Sequence, residues 1–217
     1  ELPACTSLAE ARQLEAAANQ NQTLLQCAHT ARYLHPFQRV RALVKDGELG
    51  ELGQLSYLRL IPPRSRSWQD DALLHHAAHI VDLWLDWFGP LRLKSCVAKP
   101  WQGLPQSVTI LAALPDGAPA SVSVSYEARV AECRMVLCGN RHTLVTDGFS
   151  YVESDEVSWQ VREDGDSVYR NAVRRQDKSF LQACSTGTGG VPWSSTVRLM
   201  EAIEELRELA GEGSGRR

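Results

Sequence analysis

Four residues in one short stretch are of types that move protons or hold cations: His75, His79, Asp82 and Asp86. On a helix, at about 100° per residue, they fall on one narrow stripe. Leu73, Ala77, Ile80, Trp84, Trp87 and Phe88 fall opposite, and Leu74, Val81 and Leu85 widen that apolar side. A helix that is apolar over more than half its circumference is mostly buried. Its polar stripe must therefore meet its own members, a partner or a cavity. Asp70 or Ser67 is placed to cap the helix start, and Gly89 followed by Pro90 to end it.

The stripe is compatible with three chemistries. His79 and Asp82, one turn apart, can form a purely structural pair. His75 and His79 have the i, i+4 spacing of a zinc-binding helix. The residues between them are His76, Ala77 and Ala78, however, so that motif's glutamate base is missing and no third ligand stands out. The third and leading chemistry is acid–base catalysis, with His79 at the floor of a pocket and Asp82 orienting it. The preceding loop carries Arg64 and Arg66, a type suited to clamping carboxylates.

Several elements must position this stripe. In residues 1–31, Thr6 or Ser7 caps a helix carrying Leu8, Ala11, Leu14 and Ala18, and the Asn19 to Asn21 cluster ends it. Residues 23–28 form a short apolar run of the kind found in a parallel sheet buried on both faces. That helix and strand need neighbouring strands that the sequence does not contain. His35-Pro36 opens a second helix, stopped at Gly47. A strand at 54–61 leads to the central helix, after which the pattern changes to period two at 91–98, 108–114, 120–126, 132–137, 143–146 and 157–162. Asp116-Gly117 and Gly139-Asn140 supply turns. Helices follow at 172–184 and 195–210, and residues 212–217 read as a disordered tail. The expected fold is α+β, an open, mostly antiparallel sheet packed with helices over residues 32–211. The sheet's second face, rich in Val, Ser and Tyr, is free to pair with another subunit.

Composition narrows the function. A formal charge of −3 over 217 residues argues against general nucleic-acid affinity. No apolar run approaches the ~20 residues of a membrane span. Six scattered cysteines without a CxxC read as reduced thiols of a cytoplasmic protein. The sequence has no GxGxxG turn, no phosphate loop and no GxSxG elbow.

Four segments, taken together, resemble the later part of a Gfo/Idh/MocA oxidoreductase. Glu1-Leu2-Pro3 is similar to the family's Glu-Lys-Pro, and Cys27 to Tyr33 to its Gly-His-x-x-Arg-Tyr/Phe segment. Val44 to Gly50 resembles its helix-ending Gly-x-Leu/Ile-Gly, and His79, Asp82 and Leu83 its Asp-x-Gly-x-His-x-x-Asp-Leu helix. Two departures stand out: the family's lysine is Leu2 here, and its aspartate four residues before the histidine is His75. With those departures, and with Gln176-Asp177 followed by Phe180, the sequence resembles one branch, the 4-carboxy-2-hydroxymuconate semialdehyde dehydrogenases. The resemblance implies that residues 1–31 are the last helix–strand unit of a Rossmann-like nucleotide domain, and that 32–211 bind substrate and dimerise. It implies NADP, or NAD, as cofactor, held mainly by a segment absent from this chain, with Glu1, Leu2 and Pro3 beside it. The implied reaction oxidises the cyclic hemiacetal of a carboxylated ring-cleavage product to a pyrone dicarboxylate. With Leu2 unable to titrate, His79 is the base and Asp82 its partner. Arg64, Arg66 and Arg32 serve the carboxylates of a small-molecule substrate, and His75, His76 and His29 add donors. The alternative is a non-catalytic binding or dimerisation module derived from the family.

Overall fold

The computed structural model describes residues 2–63, 71–155, 158–160 and 165–214. Helix α1 spans Leu8–Gln20. Ser7 Oγ accepts from the Glu10 amide, and the Glu10 carboxylate accepts from the Thr6 amide at 2.7 Å, a reciprocal cap. The run at 23–28 is not a strand here. It forms a single antiparallel bridge, Gln26 to Pro192, and Leu24 is exposed. Among the described residues no strand lies beside it, and an unpaired run cannot satisfy a sheet's hydrogen bonds. A 3-10 turn, Thr30–Tyr33, leads into α2, His35–Lys45, with Pro36 in its first turn.

Strand β1, Leu52–Leu60, precedes the central helix α3. This helix begins as a π turn, Leu73–Ala77, and continues as α-helix, Ala78–Phe88. The expected caps Asp70 and Ser67 lie outside the described residues. Asp71 Oδ1 accepts from the amides of Leu73 and Leu74 at 2.8 and 3.0 Å. Gly89, at φ +88°, ends it in a conformation that costs a glycine little.

The remaining strands are β2 (Arg92–Trp101), β3 (Leu104–Ala113), β4 (Pro119–Ser125), β5 (Glu132–Gly139), β6 (Thr143–Thr146), β7 (Tyr151–Ser154) and β8 (Ser158–Gln160). They form one eight-stranded sheet, ordered β2-β3-β4-β1-β5-β6-β7-β8. Only β1 and β4 pair in parallel; the other neighbours are antiparallel. The period-two pattern does not reveal β7. It follows a tight turn in which Asp147 Oδ1 accepts from the amides of Phe149 and Ser150. One face of the sheet is core, through Leu55, Ile110, Val122, Met135 and Leu137.

Helices α4 (Gly165–Thr186) and α5 (Trp193–Ser214) complete the chain. Both are longer than their sequence patterns, and α5 continues through Gly211 as far as Ser214, into the expected tail. It packs against β2, α1 and α3. Its Leu199, Met200, Ile203 and Leu206 are all buried. Each such burial is worth roughly 1.5–3 kcal/mol. The same helix fixes α1, because Glu204 Oε1 accepts from the Leu8 amide at 2.8 Å.

Candidate active site

A cleft of about 160 Å³ opens between the start of α3, the end of β1, the 3-10 turn and α4. His75, His76 and His79 form one wall. The ring centroids of His75 and His76 lie 4.1 Å apart, and those of His75 and His79 5.8 Å apart. A straight α-helix would turn His76 about 100° away from His75. The π turn changes that: the Ala77 amide bonds Ala72 O, five residues back, at 3.0 Å. Its wider turn brings the three imidazoles to the same side, a use of π turns common at functional sites. His76 Nδ1 lies 2.7 Å from the Tyr126 hydroxyl, which fixes that ring.

The sheet supplies the facing wall, with Tyr57 and Arg59 of β1. Alternation puts both on the face that carries Leu55. The Tyr57 hydroxyl contacts Cys133 Sγ at 3.4 Å. Burial pushes the Tyr57 phenol well above its ordinary range, and burial likewise raises the Cys133 thiol, so neither is suited to act as a base near neutral pH. The Arg59 guanidinium stacks on Phe149, 5.3 Å from the ring centroid. Before Phe149, Gly148 sits at φ +77° against Phe37, and a Cβ there would come within 2.5 Å of that ring. Thr30 and Tyr169 close the sides. Thr30 Oγ1 donates to Gln176 Oε1 at 2.6 Å and ties the 3-10 turn to α4.

The second half of α3 faces elsewhere. Asp82 is buried, and Arg32 grips it with two hydrogen bonds, Nε to Oδ2 at 2.8 Å and Nη2 to Oδ1 at 2.7 Å. His29 Nδ1 lies 2.9 Å from Oδ2, a charge contact without hydrogen-bond alignment, and His29 Nε2 meets Thr196 Oγ1 at 3.0 Å. Arg32 also donates to Asp86 at 3.1 Å, and Asp86 accepts from Arg41 Nε at 2.7 Å. Burial alone would raise the Asp82 pKa, but Arg32 and His29 outweigh it and hold the carboxyl below its ordinary range.

These contacts correct the straight-stripe expectation. Asp82 is held by Arg32 and His29 and does not orient His79. Arg32 and His29 turn inward to that carboxylate, and neither lines the cleft. The physical reason is that a buried carboxylate takes the nearest cations, and the 3-10 turn brings them to it. Arg64 and Arg66 lie outside the described residues, as does Glu1. Leu2 is buried in the core, Pro3 is exposed, and neither lines the cleft. Among the described residues, no three His, Cys, Asp or Glu side chains gather as a metal-holding group. All six cysteines are free, and no helix is long and apolar enough to cross a membrane.

The sequence reading missed Tyr57, Arg59, Phe149 and Tyr169. Alternation along β1 marks Tyr57 and Arg59 as sharing the core-facing side with Leu55. Phe149 and Tyr169 reach the cleft from a turn and from α4, and no local spacing announces that. The starts of α1 and α3 are already filled by carboxylates, Glu204 on the Leu8 amide and Asp71 on Leu73 and Leu74.

The chain is thus an open sheet backed by helices, with an imidazole-lined cleft on the helical side. Residues 37–145 match the family model described as GFO/IDH/MocA C-terminal domain, and the chain belongs to that oxidoreductase family. It is 25% identical over 228 residues to the 4-carboxy-2-hydroxymuconate-6-semialdehyde dehydrogenase of Sphingobium sp., covering 96% of this chain and 69% of that protein. Its fold matches an oxidoreductase from Agrobacterium radiobacter solved with NAD+, L-tartaric acid and magnesium (TM-score 0.82, 16% identity, 97% of this chain and 70% of that one). It also matches the WlbA dehydrogenase of Bordetella pertussis solved with NADH and UDP-GlcNAcA (TM-score 0.82, 14% identity, 97% and 69%).

Proposed function

We propose that this chain binds substrate and handles the proton in an NAD(P)-dependent dehydrogenase. The proposed reaction converts the hemiacetal of a carboxylated hydroxymuconate semialdehyde to a pyrone dicarboxylate. The observation that carries this reading is the gathering of His75, His76 and His79 on one cleft wall opposite a cationic one. The dehydrogenase relative from Sphingobium supports the substrate class. A nicotinamide supplies the hydride acceptor in such a dehydrogenation. What this chain supplies is binding, orientation and a proton acceptor. His79 takes the hemiacetal hydroxyl proton, a role an imidazole fills near neutral pH. His75 and His76 donate to the oxygens around that carbon. The Arg32–Asp82 pair holds the far half of α3 rigid, which keeps the imidazole wall in register with β1.

The test is turnover. Protein expressed from its complete reading frame is given the hemiacetal and NAD+ or NADP+, and formation of the reduced cofactor and of pyrone dicarboxylate is followed. Oxidation of sugar nucleotides in preference to the hemiacetal would overturn the assignment. The non-catalytic alternative draws on the filled starts of α1 and α3. Accordingly, titration of the chain as given with NADPH, followed by fluorescence, is expected to show no binding in the micromolar range.

The exposed sheet face suggests self-association. Val97, Thr109, Ser123 and Leu58 lie in one row across β2, β3, β4 and β1, and Leu111, Ser121, Ser56 and Val136 in the next. Val97 is 68% and Leu111 49% exposed, on a surface of mixed aliphatic and hydroxyl side chains that a second copy would cover. A monodisperse monomer by light scattering at high concentration would count against it.

A further inference from the structure

We infer that Arg59 is the anion-recognition residue of the cleft, and that it takes one carboxylate of the ring substrate through a two-pronged pair. The substrate's identity rests on the dehydrogenase reading above; the anion site itself rests on geometry.

Among the described residues, Arg59 is the one arginine or lysine lining the cleft. The cations beside the second half of α3 are, among the described residues, already paired. Arg32 is held by Asp82 and Asp86, and Arg41 by Asp86. No carboxylate among the described residues pairs with Arg59; its neighbours are the Phe149 ring and, across the strand pair, Cys133. A half-buried guanidinium with no acidic partner is costly unless something arrives to pair with it.

The stacking makes the arginine ready for that. A guanidinium lying on an aromatic face keeps its N–H donors in its own plane, pointing away from the ring. Those donors form a fork that matches the two oxygens of a carboxylate. Phe149 therefore sets the orientation, and Asp147 sets Phe149 by accepting from its amide at 2.9 Å. The imidazole wall lies opposite. A planar ring with a carboxylate at one edge and a hemiacetal carbon at the other would span the two walls, anchored at Arg59 and deprotonated at His79. The group that holds the ring is then separate from the group that takes the proton. Arginine 59 would mainly set affinity, and His79 rate.

Isothermal titration of the chain with a pyrone dicarboxylate, its dimethyl ester and inorganic phosphate tests this. The unaltered chain should bind the dicarboxylate more tightly than the ester or phosphate. Arg59→Gln should weaken dicarboxylate binding about ten- to a hundredfold, the worth of charge-assisted hydrogen bonds, and leave the ester unchanged. Arg59→Lys should fall between, because a point charge replaces the fork. Should Arg59→Gln fail to fold, Phe149→Leu serves in its place and should weaken the dicarboxylate alone. An Arg59→Gln chain that binds the dicarboxylate like the unaltered one, or an unaltered chain that binds no dicarboxylate or prefers phosphate, would overturn the proposal. If Arg59-dependent binding holds but the hemiacetal is not oxidised, the anion site stands and the reaction assignment falls. If the hemiacetal is oxidised with a KM indifferent to Arg59→Gln, the reverse is true.

Discussion

The two halves of α3 share one helix, the first with histidines and the second with aspartates, and they do opposite things. The first half, through the π turn, presents His75, His76 and His79 half-buried to a cleft. The second half presents Asp82 and Asp86 to Arg32, Arg41 and His29, where the charges satisfy one another. Polar groups turned toward a cleft lie where a ligand can meet them. Polar groups closed into a buried network are fixed, and their contribution is to hold the helix. The difference shows that a polar stripe on an apolar helix is not one site. The stripe divides within regular α-helix, where Arg32 and His29 take Asp82.

The largest expected effect lies in the first half. His79→Asn in the complete protein should lower kcat by about 10²–10⁴-fold, the usual worth of a positioned acid–base group, with the melting temperature nearly unchanged. A kcat within a few-fold of the unaltered protein, together with easier unfolding, would make His79 structural and erase the contrast between the halves.

Much of this arrangement was legible in the sequence. The helix itself, its Gly89 stop, the cap of α1 and the alternation of β2 to β6 all follow from local rules, because each depends on residues within a turn or a strand pair. The division of the stripe did not follow from those rules. His79 and Asp82 both lie in regular α-helix, so 100° per residue puts them on one side but does not show that Arg32 takes the carboxylate. The pairing of Asp82 with Arg32 bridges fifty positions, and Thr196 reaches His29 across 167. Such contacts come from the packing of α5 and the 3-10 turn, which no spacing within α3 encodes. The run at 23–28 depends on partners in the same way: its composition fits a buried strand, and without the neighbouring strands it was expected to need, it makes only the Gln26–Pro192 bridge.

The second half should fail differently. Asp82→Ala removes the centre of the network and leaves Arg32 and His29 without their shared carboxylate. Breaking a buried pair from one side costs roughly 3–5 kcal/mol, so chemical denaturation should show a loss of that order. A loss below about 1 kcal/mol would mean that water replaces the carboxylate and that the network is not buried in solution.

Acid should reveal the same carboxylate. Burial opposes ionisation of Asp82, but Arg32 and His29 prevail and its folded pKa is lowered. A depressed pKa gives stability that is fully present above the unfolded aspartate value of about 3.9 and is lost as pH falls through the lower folded value. The unfolding free energy should therefore decline on that acid limb. Asp82→Asn should flatten the decline while lowering stability at neutral pH. Equal acid slopes in the two proteins would assign the decline to other carboxylates.

The smallest effect belongs at the network's outer edge, and it tests whether burial governs the gradient. Arg41 is half-exposed, and its partner Asp86 keeps a second hydrogen bond to Arg32. An ion pair in such a position gains little over hydration, typically about 0.2–1 kcal/mol. Arg41→Ala should thus cost less than about 1 kcal/mol, and that cost should shrink further in high salt as screening replaces the pair. The Asp82→Ala loss should be much less sensitive to salt, because a buried pair is screened far less. Were Arg41→Ala to cost as much as Asp82→Ala, the outer pair would be a member of the buried unit. The rigid half of α3 would then extend to the surface of α2, and the contrast with the imidazole half would be one of position along the helix rather than of burial.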